Sequence, residues 1–87
     1  MSTWTWAYDP DGYGDSLPPD VQAAVERLGA DLAELNSMVY LDGAAYQGLS
    51  PGLRFESGKT ATGREFTINY ATHVRGECVV IVSVIVY

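Results

Sequence analysis

The sequence predicts an α+β fold in which a small antiparallel sheet packs against one long helix. Three observations predict it: residues 3–8 alternate between aromatic and small or polar side chains, residues 19–36 carry an apolar stripe with helical spacing, and three strand-like segments follow in the second half of the chain. The order is therefore β, α, β, β, β. With 87 residues, the chain has the length of a single domain, residues 1–87.

The first strand is predicted at TWTWAY, residues 3–8. Trp4, Trp6 and Tyr8 lie on one side of an extended chain, and the residues between them lie on the other. The following segment, DPDGYGDS, consists of residues that favour turns. A strand with one aromatic face that ends in a turn is the expected start of the domain.

The helix is predicted over residues 19–36, within LPPDVQAAVERLGADLAEL. Two prolines precede it, where the first helical N–H groups need no partner, and Asp20 complements the positive end of the helix dipole. Apolar residues recur three or four positions apart, namely Val21, Ala24, Val25, Leu28, Leu32 and Leu35. This stripe is the surface expected to pack on the sheet.

A C-terminal meander is predicted to complete the sheet. A short strand is expected at residues 53–56, a polar connection at 57–63 and a second strand at 64–72, in which Phe66, Ile68 and Tyr70 share one face. Residues 73–77 turn the chain, and residues 78–87 form the last strand. The N-terminal strand and this meander together make the expected small antiparallel sheet.

The last strand, CVVIVSVIVY, is apolar on both predicted faces. Alternation places Cys78, Val80, Val82, Val84 and Val86 on one side and Val79, Ile81, Ile85 and Tyr87 on the other. One helix covers one side of a sheet, so the second face needs another cover. Either the 37–52 loop covers it, with Trp4, Trp6, Met38, Tyr40 and Leu41 filling the space, or another chain does, and we favour another chain.

The charge and composition restrict the function classes. The net charge is −6, with eight acidic residues and one basic residue in residues 1–42, and three acidic and four basic residues in residues 43–87. This balance disfavours non-specific nucleic-acid binding but leaves the second half able to form a local basic site. No segment has the pattern of a signal peptide or the length of a membrane helix, which predicts a cytoplasmic protein without a membrane partner.

The sequence offers few ligands for a metal or a cofactor. Asp9, Asp11 and Asp15 are the densest carboxylates, but they lack the glutamate that a calcium loop carries at its twelfth position. No Gly-rich phosphate-binding loop is present, and the single cysteine, Cys78, is read as a small buried apolar residue. We therefore expect no metal and no small-molecule cofactor.

Several of these segments together resemble the RelE/ParE superfamily of toxins from type II toxin–antitoxin systems. They are the strand that ends in YDP, the helix start LPPDV, the Arg-led strand REFTINY and the strand CVVIVSVIV. The resemblance implies a sheet with helical cover on one side. It also implies an activity that inhibits translation as a ribosome-dependent mRNA endonuclease or that inhibits DNA gyrase, and an antitoxin that wraps the surface.

The resemblance also implies a set of site residues. Arg64 matches the arginine that leads the penultimate strand, and Arg54 and Lys59 fall where the family carries basic residues that bind the mRNA phosphates. Tyr87 stands near the C-terminus, where nuclease members use a side chain for proton transfer. Arg64, Arg54 and Tyr87 are thus the catalytic candidates, and Lys59 and Arg54 are the RNA-binding candidates. Alternation further predicts that Arg54 projects from the face opposite the core.

Two other functions remain open from the sequence. One is a non-enzymatic protein-binding module that uses its apolar sheet to form a homodimer or to bind a partner, which the acidic composition favours. The other is a toxin homologue that keeps the fold and antitoxin binding without catalysis. His73, predicted in a turn at the far end of its strand from Arg64, is interpreted as an ordinary turn histidine.

Overall fold

The structure, a computed structural model, describes residues 3–87. Four strands and one helix make up the fold: β1 (Thr5–Tyr8), α1 (Pro19–Val39), β2 (Arg54–Lys59), β3 (Glu65–His73) and β4 (Cys78–Val86). Two short 3-10 turns, Asp11–Ser16 and Gly43–Ala45, flank the helix on either side in sequence. The α+β class and the element order predicted from the sequence are confirmed.

Helix α1 begins and ends for local reasons. Pro18 precedes it with extended backbone angles, and Pro19 occupies the first turn, where its missing N–H costs no hydrogen bond. The helix runs three residues beyond the predicted end at Asn36. It stops where the Tyr40 N–H donates to the Asn36 carbonyl. The Asn36 amide also donates to the Leu32 carbonyl at 2.7 Å, so this residue extends the helix although its type is typical of helix ends.

The four strands form one mixed sheet in the order β1-β4-β3-β2. β2, β3 and β4 are the predicted antiparallel meander, but β1 pairs with β4 in parallel. The prediction of a wholly antiparallel sheet is therefore wrong for its N-terminal strand. The reason is topological, because one helix returns the chain to the end where β1 started, and two further reversals leave β4 running in the direction of β1.

A β-bulge in β4 decides which side chains face the helix. Tyr70 pairs with Ile81, whereas its neighbour Asn69 pairs with Ser83, so Val82 is an extra residue in the strand. Four β4 side chains consequently face α1: Val79, Ile81, Val84 and Val86. The two faces predicted by strict alternation are wrong beyond Ile81, because the bulge reverses the alternation at that point.

The core lies between α1 and one face of the sheet. Its least exposed side chains are Phe66, Ile68, Ile81, Val21, Val25 and Val79. Trp4 stacks on Tyr40 with ring centroids 6.0 Å apart, and Trp6 lies against the helix at Gly29. A Cβ atom at Gly29 would stand 2.9 Å from the Trp6 ring, so the glycine that weakens the helix intrinsically is what lets β1 approach it.

The loop of residues 40–53 packs at the end of the sheet beside the helix. Tyr46 makes an edge-to-face contact with Tyr40, and its carbonyl accepts a hydrogen bond from Arg75 Nε at 3.1 Å. Met38 and Leu41 stay 63% and 88% exposed. The proposal that Trp4, Trp6, Met38, Tyr40 and Leu41 fill the second face of the sheet is therefore wrong, since the two tryptophans and Tyr40 pack on the helix side.

Candidate functional site on the open face of the sheet

The face of the sheet opposite α1, here called the open face, is covered by no helix of residues 3–87. Strand pairing assigns its residues, which are Thr5 and Ala7 from β1, Phe55, Ser57 and Lys59 from β2, Glu65, Thr67, Asn69, Ala71 and His73 from β3, and Cys78, Val80, Ser83 and Ile85 from β4. Phe55 and Ile85 remain 64% and 47% exposed. Large apolar side chains on this face are thus left in contact with solvent.

A polar cluster lies at one end of the open face, where β2 ends and β3 begins. Lys59 Nζ stands 3.8 Å from Glu65 Oε1, and the hydroxyl groups of Ser57 and Thr67 are 3.1 Å apart. The Tyr87 N–H donates to the Glu65 carbonyl at 3.1 Å, which fixes the last residue beside the cluster. Together with neighbouring atoms of β2 and β3, these residues line a cavity of about 330 Å³, here called the Lys59–Tyr87 cavity.

The structure brings two of the four predicted site residues together, because Lys59 and Tyr87 line the same cavity. Arg64 precedes Glu65 in the chain, but its guanidinium points to the first turn of the helix, with Nε 3.7 Å from Asp20 Oδ2. Both partners of that pair are partly exposed, so solvent screens the attraction. Arg64 therefore lies at the same edge of the sheet without joining the cavity.

Arg54 is separated from the other three. Its Nη2 donates to the Thr72 hydroxyl, and a longer contact of 3.4 Å reaches Asn36 Oδ1. Its guanidinium carbon lies 5.2 Å from the centre of the Tyr70 ring. Because Arg54 pairs with Tyr70, it projects to the helix side, and the prediction that it projects opposite the core is wrong. The guanidinium links β2, β3 and the end of α1.

Tyr8 carries a partly buried phenol at the end of β1. Burial raises the pKa of Tyr8 to about 12, and the carboxylates of Glu26 and Asp15 add to the effect. Its phenol is therefore protonated and neutral at neutral pH. Tyr8 lies on the helix side of β1, so this phenol serves the packing of the N-terminal strand and takes no part in the polar cluster.

Sequence reasoning missed the residues that accompany Lys59 and Tyr87. Alternation with Phe66 places Glu65 and Thr67 on the other face of their strand, as the structure has them, but only the β2–β3 register connects them to Lys59. The register pairs Lys59 directly with Glu65 and Ser57 with Thr67. The predicted polar connection of residues 57–63 is wrong at its start, because β2 extends to Lys59 and the link between the strands is residues 60–64. A link this short between two strands implies a hairpin and hence these pairs.

Residues 3–87 contain no group of three or more His, Cys, Asp or Glu side chains placed to hold a metal ion. Within the same range, no helix has the length and apolar character needed to cross a bilayer.

Comparison with protein-family models, with curated proteins and with solved structures gives no match for this chain. The features of this chain that bear on function are therefore the open face and the Lys59–Tyr87 cavity.

Proposed function

We propose that this protein acts by binding another polypeptide over its open face, as a toxin-like component of a toxin–antitoxin pair of the RelE/ParE type. The observation that carries the proposal is the exposed apolar surface of the sheet. Phe55 and Ile85 lie on the open face, where exposed apolar side chains favour a protein interface over solvent. The similarity of the sequence to RelE/ParE toxins supplies the kind of partner, an antitoxin.

The charge of the chain favours a different polypeptide over a second copy as the occupant. The open face carries one ion pair, Lys59–Glu65, at one end and His73 at the other, so its centre is uncharged. The rest of the molecule is acidic, and two copies with a net charge of −6 each repel one another. A less acidic partner that brings apolar side chains to Phe55 and Ile85 avoids this cost.

The isolated protein is expected to associate through the open face. Light scattering of the wild-type chain at high salt, which screens the repulsion between copies, should show concentration-dependent association, and the double variant Phe55→Ser/Ile85→Ser should be monomeric and roughly fivefold more soluble. The control is Leu49→Ser, which removes a side chain that is 92% exposed in the 40–53 loop, away from the open face. A stable symmetric dimer would support the homodimer alternative instead, and a freely soluble wild-type monomer would contradict an interface on this face.

A second candidate function, mRNA cleavage, is favoured by the contents of the Lys59–Tyr87 cavity. Cleavage through the ribose 2′-hydroxyl needs a base to take its proton, a cation to stabilise the phosphorane and an acid to protonate the departing 5′-oxygen. Glu65, Lys59 and Tyr87 are of the types needed for these three roles in that order, and the cavity places them side by side. Arg54 takes no part in this proposal, because its guanidinium is bound on the helix side.

The nuclease candidate is tested in a ribosome-containing cell-free translation system with the ends of the mRNA mapped. We expect codon-phased cuts with the wild-type protein and a reduction of about 100-fold or more with Lys59→Ala/Tyr87→Phe. Arg75→Gln, which removes an exposed cation from the opposite end of the sheet, should cut as the wild type does. An intact message at full protein synthesis would rule out cleavage and leave partner binding as the function.

A further inference from the structure

A second cavity lies at the opposite end of the sheet from the Lys59–Tyr87 cavity. It has a volume of about 410 Å³ and lies between the 40–53 loop, which contributes Tyr46, Gly48 and Ser50, and residues 72–76 at the end of β3. This volume is in the range of small-molecule binding sites. Thr72 and Glu65 stand seven positions apart in β3, or roughly 23 Å along the strand, so the two cavities are independent. The cavity at Thr72 is here called the Thr72 cavity.

Thr72 lines this cavity and carries a buried hydroxyl group whose hydrogen has no acceptor in residues 3–87. Thr72 is 2% exposed, and its oxygen accepts a hydrogen bond from Arg54 Nη2. Because the oxygen accepts, the hydroxyl hydrogen remains available to a further acceptor, and residues 3–87 provide none for it. Arg54 Nε is a second buried donor that has no acceptor within the described part of the chain. Two neighbouring buried donors thus lack acceptors, which is costly unless a ligand or solvent supplies them.

Among the residues that line the Thr72 cavity, the side chain with a fixed charge is the cation Arg75. Arg75 and His73 line it, and no carboxylate does. Arg75 uses Nε to hold the Tyr46 carbonyl, which leaves the other N–H groups of its guanidinium for a ligand. The nearest acidic side chain in sequence, Glu77, accepts a hydrogen bond from the Thr3 hydroxyl at 2.7 Å. A cationic cavity of this kind stands out in a chain whose net charge is −6.

We infer that the Thr72 cavity binds a small anionic ligand through a phosphate or carboxylate group. The oxygen atoms of such a group accept hydrogen bonds from the Thr72 hydroxyl and from the Arg75 guanidinium, and charge-assisted bonds of this type are the strong ones. Arg54 acts through Thr72, because its hydrogen bond orients the hydroxyl as a donor. The inference does not depend on the proposed function, since none of its residues belongs to the Lys59–Tyr87 cavity and it needs no protein partner.

The inference is tested by titrating ¹⁵N-labelled protein with inorganic phosphate and, separately, with citrate at constant ionic strength. We expect saturable shifts of the amide signals of Gly48, Ser50 and Gly76 with at least one of the two anions, and which anion saturates identifies the preferred group. Thr72→Val should weaken binding about tenfold, since it removes a hydrogen bond to a charged group. Thr72→Ser, which keeps the hydroxyl, should bind within about threefold of the wild type.

Two further variants keep the test decisive. Arg75→Gln changes an exposed residue, should also weaken binding about tenfold, and carries the test if Thr72→Val does not fold. Thr67→Val removes a threonine hydroxyl from the open face and should leave the affinity unchanged. The inference is overturned if neither anion gives saturable shifts, or if Thr72→Val and Arg75→Gln both bind as the wild type does.

Discussion

Replacing Ile81 by alanine is expected to lower the free energy of unfolding by about 2–5 kcal/mol. The side chain has no exposed surface and is among the largest that are fully buried. It lies in the middle of the sheet, paired with Tyr8 on one side and Tyr70 on the other, so its removal leaves a cavity that the neighbouring strands cannot close. Urea unfolding followed by circular dichroism measures the change.

Ile85→Ala is the matched control, because it makes the same chemical change four residues later in the same strand. Ile85 is 47% exposed on the open face, so its loss should cost about 1 kcal/mol or less. In a regular strand, residues four apart lie on the same face. If Ile81→Ala and Ile85→Ala lower the free energy of unfolding equally, β4 has no bulge at Val82 and both isoleucines face the helix.

The bulge also explains how far the sequence alone predicts this fold. Alternation in residues 64–72 correctly assigns Phe66, Ile68 and Tyr70 to the core, because β3 is regular throughout. The same reasoning fails in β4. Nine of the last ten residues are apolar, so polar and apolar residues do not alternate and the sequence does not show which of them face the core. Ser83 breaks the apolar run one residue after the bulge, but a single serine does not reveal an inserted residue.

The sequence predicts the position of a candidate residue where that position depends on the two consecutive hairpins and not where it depends on tertiary packing. Lys59 and Tyr87 lie at the same end of the sheet because β2, β3 and β4 are consecutive and antiparallel. Alternation assigns Arg54 to the wrong face because it takes the apolar neighbour Phe55 as a core residue, whereas Phe55 lies on the open face and is 64% exposed. Arg54 is held on the helix side by Thr72 and Asn36, which are 18 residues away in opposite directions along the chain. Such contacts cannot be read from the residues next to Arg54.

Gly43→Ala is expected to destabilise the protein by about 1–3 kcal/mol, although alanine is ordinarily the more favourable residue. A Cβ atom at this position would stand 2.2 Å from the Val74 carbonyl oxygen and 2.5 Å from Glu77 Cγ. The carbonyl belongs to the β3–β4 turn and cannot move without shifting the sheet, so the 40–53 loop has to give way. Thermal unfolding compared with the wild type measures the cost.

Gly52→Ala in the same loop is the control, because no atom lies within 4 Å of the position of its Cβ. It should be neutral or stabilising by up to about 1 kcal/mol. If Gly43→Ala behaves like this control, the loop does not pack at the end of the sheet and is free to lie over Phe55 and Ile85. The loop would then cover the open face, and the exposed apolar side chains would no longer require a partner. A large loss of stability for Gly43→Ala alone would instead show that the loop packs against the β3–β4 turn. The open face would then be available to another polypeptide.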